Sequence, residues 1–304
     1  VNTAPLITIN PIDVTTCAGN TVNFTTTATG TSLTHQWQLS TDGGANYNNL
    51  ANGAPYAGVT TPTLTVTGVT AGLSGYRYRC VVSGTCPSPV NSTGAILTIV
   101  TSVTVTAQPS NSTACENAGT SFTTAGSGSG VIYQWQLSTD GGANYSNLAN
   151  AAPYSGVTTA TLNVSPVTFA MNTYRYRCLL SNSTCTTPGI SNGAILTVNT
   201  LPLVTGSPTN LTSCLGSTVN FSAAGTGTAL AYQWQVSIDG GANYNNLSNG
   251  APYSGVNTAT LTITSITAVM NNYRYRCVLS GTCTPAVNSG AATLNVVNPV
   301  NVTV

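Results

Sequence analysis

The chain repeats itself three times on a fixed ruler. The segments QWQLSTDGGANYNNL from Gln36, QWQLSTDGGANYSNL from Gln134 and QWQVSIDGGANYNNL from Gln233 are near copies. Each is followed by Ala-Pro-Tyr, with the tyrosine at Tyr56, Tyr154 or Tyr253, and then by Tyr-Arg-Tyr-Arg-Cys ending at Cys80, Cys178 or Cys277. Trp37, Trp135 and Trp234 lie 98 and 99 residues apart. Each tryptophan stands 43 residues before its YRYRC cysteine and 20 after an upstream one, Cys17, Cys115 or Cys214. Periodicity of this kind marks a tandem array, and 304 residues hold three units of ordinary domain size. The expected units are 1–100, 101–199 and 200–297, with 298–304 as the first strand of a following repeat. Val1-Asn2-Thr3-Ala4-Pro5-Leu6 parallels Val198-Asn199-Thr200-Leu201-Pro202-Leu203, so the chain reads as a window on a longer array.

Inside each unit the pattern is β throughout. Val22, Phe24 and Thr26 alternate with Asn23 and Thr25, the period of a half-buried strand. Trp37 and Leu39 alternate with Gln36 and Gln38, and Tyr76, Tyr78 and Cys80 share a face opposite Arg77 and Arg79. The Asp42-Gly43-Gly44 sequence predicts a tight hairpin. Seven to eight short strands per unit without a helical period predict an all-β sandwich.

Charge narrows the function. Only 4% of residues are charged, the cations being six arginines, for a net charge of +1. That cannot neutralise a phosphate backbone, so nucleic acid is excluded as a partner. No apolar run approaches the roughly 20 residues of a spanning helix, so membrane insertion is not expected. The single histidine, His35, is replaced by Tyr133 and Tyr232 in the other copies. Histidine metal sites and most general-base schemes lack their groups, so the chain reads as non-enzymatic, with no catalytic residue, cofactor or metal. Nine cysteines suit an oxidising compartment.

Gly19-x-x-Val22-x-Phe24, then Trp37, then Tyr78-x-Cys80 resembles an immunoglobulin-like domain, with strand B, the strand C tryptophan and strand F in that order. The fuller pattern C-x-G…QWQxSxDGGxxY…TLT…YRC resembles the tandem immunoglobulin-like repeats of large secreted surface proteins and adhesins of Bacteroidota. The resemblance implies three sandwiches arranged as a rod, Trp37, Trp135 and Trp234 in the cores, and an extracellular stalk or adhesin, often exported by the type IX route.

The cysteines depart from that pattern. In the family the strand F cysteine pairs with one on strand B, near Thr26, Thr124 or Ala223 here, where no cysteine stands. Cys80, Cys178 and Cys277 then lack the usual cross-sheet partner and, where bridges link successive repeats instead, are buried free thiols of the core. Cys17, nine residues earlier, falls at one end of the sandwich, and Cys86, six past Cys80, at the other. Linked Cα atoms lie within about 7 Å, which disfavours a bridge between them. Stacked end to end, successive units bring Cys17 near Cys185 and Cys115 near Cys283, leaving Cys214 for a following unit and Cys86 for a preceding one. A local Cys80–Cys86 bridge that leaves Cys17 free is the alternative, because sequence alone does not give connectivity.

The remaining candidates are weaker. Asp42, Asp140 and Asp239 supply one carboxylate per turn, thin for a calcium ion that takes six to eight oxygens. Arg77 and Arg79 read as a solvated face or as partners of that aspartate. Tyr47 and Tyr56 among asparagines offer rings on which a sugar stacks, which makes surface glycans the alternative partner. The principal reading is a structural repeat segment of an extracellular, cell-surface or secreted filament, reinforced by disulfides. Its partners are neighbouring copies of the array.

Overall fold

The computed structural model describes residues 1–86 and 88–298. The strand expected over 298–304 lies outside them but for Asn298. In the first repeat the strands are β1 (Leu6–Ile9), β2 (Val14–Cys17), β3 (Val22–Thr25), β4 (Thr27–Thr29), β5 (Thr34–Ser40), β6 (Asn48–Asn49), β7 (Tyr56–Ala57), β8 (Thr63–Val66), β9 (Arg77–Ser83), β10 (Val90–Asn91) and β11 (Ala95–Val100). The second and third repeats reproduce this order from Thr104–Ala107 to Ala194–Asn199 and from Leu203–Gly206 to Ala292–Val297. Eleven strands per repeat exceed the seven to eight expected. The excess is short pairings of two or three residues, β4, β6, β7 and β10, whose hydrophobic pattern is too brief to read.

The strands form two layers. One sheet has the order β2-β11-β9-β5-β6, with β10 on β9; the other side is built by β3-β8-β7 and by the pair β1-β4. Alternation dictates what faces inward: Val22 and Phe24 of β3 are buried while Asn23 and Thr25 are exposed. On β9, Tyr78, Cys80 and Val82 are buried between half-exposed Arg77, Arg79 and Val81.

Trp37 is fully buried and stands opposite Cys80 across the β5–β9 pair. Trp135 with Cys178 and Trp234 with Cys277 repeat the arrangement. A buried indole N–H needs an acceptor; Trp37 Nε1 donates to the Thr61 carbonyl at 2.9 Å, as Trp135 does to Thr159 and Trp234 to Thr258. Phe24 stacks on Tyr78 at 4.8 Å between centroids, and Tyr56 lies beside Tyr78 at 6.1 Å. Burial raises the Tyr78 phenol well above its ordinary value.

The Asp-Gly-Gly segment is a longer loop than the tight hairpin expected, spanning residues 41–47 between β5 and β6. Its shape comes from the Asp42 carboxylate, which accepts the Ser40 hydroxyl at 2.7 Å and both the backbone N–H and side-chain amide of Asn46. Gly43 and Gly44 take φ of +78° and +100°, values that side chains resist.

Candidate functional site

The region with the most specific chemistry is the junction between repeats. In the first repeat β2 runs parallel to β11, with Val14 opposite Leu97 and Cys17 opposite Val100. Two side chains clamp β2 in place: Asn10 Oδ1 accepts the Thr93 N–H at 2.9 Å and Asp13 Oδ1 that of Ile96 at 2.8 Å. Cys17 therefore reaches the end of the sandwich at the residue where the chain leaves it.

The next residue already belongs to the following repeat. Thr101 N–H donates to Ser129 Oγ at 3.1 Å, and the Thr101 carbonyl accepts the Asn182 side-chain amide at 3.1 Å. Asn182 also shapes the loop that carries the second cysteine, because its Oδ1 accepts the N–H groups of Thr184 and Cys185. Cys17 and Cys185 form a disulfide with Cα atoms 5.5 Å apart across 168 residues of sequence. The Cys185 sulfur lies 3.7 Å from the Val100 carbonyl oxygen. A polar groove of about 230 Å³ opens beside the bridge, lined by Ala18, Asn20, Ser102, Thr184 and Thr186 among others.

The second junction is built alike. Ser112–Cys115 pairs in parallel with Leu196–Asn199, Cys115 is bonded to Cys283 with Cα atoms 5.8 Å apart, and the Cys283 sulfur lies 3.6 Å from the Asn199 carbonyl oxygen. Cys80, Cys178 and Cys277 are unbonded and buried, and Cys86 and Cys214 are unbonded at the surface. No local Cys80–Cys86 bridge forms. Burial pushes the Cys80, Cys178 and Cys277 thiols up to about 11, so they stay protonated and behave as small apolar side chains.

The aromatic candidates are engaged within their own repeat. The Arg79 guanidinium sits over the Tyr47 ring, 3.9 Å from its centroid, while Arg79 Nε donates to Gln38 Oε1 at 2.8 Å. Gln38 in turn donates to Asn49 Oδ1, and Gln36 donates to the carbonyls of Trp37 and Leu50. Arg79 thus pairs with Gln38 and Tyr47 rather than with Asp42. Tyr56 leans into the core against Tyr78. The repeated QWQ motif is accounted for by this packing, in which Tyr47 and Tyr56 both take part.

Asp42, Asp140 and Asp239 are held well below the usual carboxylate range, first by the backbone N–H four residues on and then by the neighbouring serine and asparagine side chains. Burial lowers the pKa of His35. Among the described residues no group of three or more His, Cys, Asp or Glu is placed to hold a metal, and no helix is long and apolar enough to cross a membrane.

Sequence reasoning singled out the cysteines and missed the groups that aim them. A trace was present: Asp13, Asn111 and Asn210 each lie four residues before Cys17, Cys115 and Cys214. All three accept a backbone N–H from the last strand of their repeat.

Comparison with solved structures settles the fold. The titin I-band fragment I67-I69 superposes with a TM-score of 0.69 over 96% of this chain and 98% of its own, at 17% identity. This chain is a tandem of three immunoglobulin-like domains. An E-to-A variant of the same titin domains gives the same score at 17% identity, covering 97% of this chain and 99% of that one. Sidekick-1 immunoglobulin domains 1-5 match with a TM-score of 0.54 and 20% identity over 98% of this chain and 60% of that one. The model of a family described as a domain of unknown function (DUF8696) matches residues 103–200, the middle immunoglobulin-like domain. No curated protein matches the sequence.

Proposed function

We propose that this chain is a non-enzymatic, tension-bearing segment of an extracellular fibre or adhesin stalk, its immunoglobulin-like domains set end to end as a rod. The observation that carries the reading is the position of the disulfides. Each runs beside the peptide junction, from the strand that ends at the exit of one domain to a loop at the entrance of the next. Junction residues such as Thr101 are hydrogen-bonded into the following domain, which favours a stiff connection over a flexible linker. Disulfides persist in oxidising compartments, outside the cytosol. The likeness to Bacteroidota surface repeats points the same way, and neighbouring copies of the array are the partners.

The covalent geometry makes the reading quantitative. Under tension the taut path of the fully unfolded, oxidised chain runs from Val1 to Cys17, across to Cys185, back to Cys115, across to Cys283 and on to Val304. That path holds about 110 residues and extends to about 370 Å at ~3.4 Å per residue, against about 1,000 Å for the reduced chain. Single-molecule pulling from the two ends should therefore show roughly threefold greater full extension after reduction. Equal extensions with and without reductant would sink the proposal.

A further inference from the structure

Three Asn-Gly dipeptides occur in the chain, Asn52-Gly53, Asn192-Gly193 and Asn249-Gly250. The pairing is chemically unstable, because a glycine nitrogen, with no Cβ beside it, can attack the asparagine side-chain carbon and close a succinimide ring. All three asparagines are exposed, so access to water does not separate them. Hydrogen bonding does.

Asn52 and Asn249 are held at both reacting groups. Asn52 Oδ1 accepts the Val59 N–H at 3.2 Å, and Asn249 Oδ1 accepts that of Val256 at 3.2 Å. Their glycines are held too: the Gly53 N–H donates to the Tyr56 carbonyl at 2.9 Å and the Gly250 N–H to the Tyr253 carbonyl at 2.9 Å. The middle repeat has Asn150-Ala151 at this place, and its Asn-Gly pair stands instead just ahead of its last strand, Ala194–Asn199. Among the described residues neither the Asn192 side-chain amide nor the Gly193 N–H has a hydrogen-bond partner. What holds this stretch leaves the reacting atoms alone. The Asn192 N–H donates to Gln108 Oε1 at 2.7 Å, and the Ser191 hydroxyl donates to the Asn192 carbonyl at 3.1 Å. That hydroxyl is itself fixed, since Ser191 is buried and its Oγ accepts the Cys178 N–H at 2.8 Å. It sits where negative charge gathers, on the carbonyl oxygen of the peptide whose nitrogen gives up its proton. Packing dictates the glycine, because a Cβ at Gly193 would collide with the Tyr145 hydroxyl.

We infer that Asn192 is a self-modifying site, at which the folded chain converts this asparagine to aspartate and isoaspartate without an enzyme. The Gly193 nitrogen bonds to Asn192 Cγ, the Cγ–Nδ2 bond breaks, and ammonia leaves carrying the proton that Gly193 lost. Water then opens the ring, at Cγ to give aspartate or at the backbone carbonyl carbon to give isoaspartate. Either product carries a new carboxylate, which cancels the net charge of +1. The isoaspartyl form also lengthens the backbone by one carbon, just before the strand that pairs with Ser112–Cys115 and leads into the second bridged junction.

The test incubates the whole oxidised chain at neutral pH and physiological temperature. Peptide mass spectrometry follows each Asn-Gly site, with electron-transfer fragmentation to tell isoaspartate from aspartate. Asn192 should convert at least roughly tenfold faster than Asn52 or Asn249, the factor that one to two net hydrogen bonds supply. In the chain unfolded by guanidinium the three rates should converge. Asn192→Thr, which installs the residue that the first repeat carries as Thr93, should remove the main acidic species from isoelectric focusing. Equal or slower conversion at Asn192 in the folded chain, rates that stay apart after unfolding, or a product that is aspartate alone would each overturn the proposal. So would an acidic species that persists unchanged in the threonine variant. Mapping the wild-type chain keeps the answer independent of how that variant folds.

Discussion

Cys17 stands directly opposite Val100 in the parallel pairing of β2 with β11, so the disulfide leaves the first domain at the same point as the peptide chain. The two connections run side by side into the second domain, where Asn182 holds both the Thr101 carbonyl and the loop bearing Cys185.

Cys17→Ser and Cys115→Ser should each loosen one junction. The bridge closes a loop of 168 residues, for which the chain-entropy argument gives about 5 kcal/mol at most and engineered bridges commonly less. Calorimetry should show the melting of the joined domains shift down in the variant and upon reduction of the wild type. An unchanged thermogram would show that the bridges carry no equilibrium stability.

Small-angle scattering tests the shape. Domains docked through short, hydrogen-bonded junctions should give an elongated pair-distance distribution that persists in the oxidised chain, and reduction should broaden it. A compact, globular profile would refute the rod.

Trp37→Ala should cost about 3–5 kcal/mol, because it empties a fully buried site opposite Cys80 and leaves the Thr61 carbonyl without its indole donor. Denaturant unfolding of the variant reads the loss. Trp37→Phe should recover part of it, keeping the apolar volume but not the hydrogen bond. A loss below about 1 kcal/mol for the alanine variant would mean the indole is not the centre of the core.

Thiol counting separates the five unbonded cysteines. At neutral pH a small alkylating reagent should label Cys86 and Cys214 in the folded chain and reach Cys80, Cys178 and Cys277 only after denaturation. The same thiols set an alkaline limit. Their values rise from 9.0 to about 11 on folding, so the folded state holds protons that the unfolded state has lost. Stability from this source is complete below about pH 9 and declines as pH rises toward 11. Urea midpoints measured from pH 8 to 11 should fall; a flat profile would contradict the burial.

At the acid end the sign reverses. Asp42, Asp140 and Asp239 have values depressed in the folded state. Their contribution is present above the ordinary carboxylate value of 3.8 and is lost as pH falls below it. Asp42→Asn should remove part of that acid dependence without changing the alkaline one, as read from thermal midpoints between pH 2 and 6.

The repeat ruler, the period-two alternation of Val22, Asn23 and Phe24, and the Trp37-to-Cys80 spacing were enough to specify three all-β sandwiches. Those signals are local or strictly periodic, and burial on one face of a strand writes them directly into composition. The short strands Asn48–Asn49 and Tyr56–Ala57 were not legible, because two residues carry no period. The neighbours of Tyr47 and Tyr56 were not legible in sequence because they are distant: the Arg79 guanidinium is 32 residues from Tyr47, and Tyr78 is 22 from Tyr56. The disulfide partners were narrowed by the missing strand B cysteine, yet the pairing was decided in three dimensions. Only a parallel strand ending opposite Val100, and a loop held on the Thr101 carbonyl by Asn182, bring Cys17 and Cys185 within bonding reach. Sequence separation of 168 residues says nothing about distance; the stacking of one folded domain on the next does.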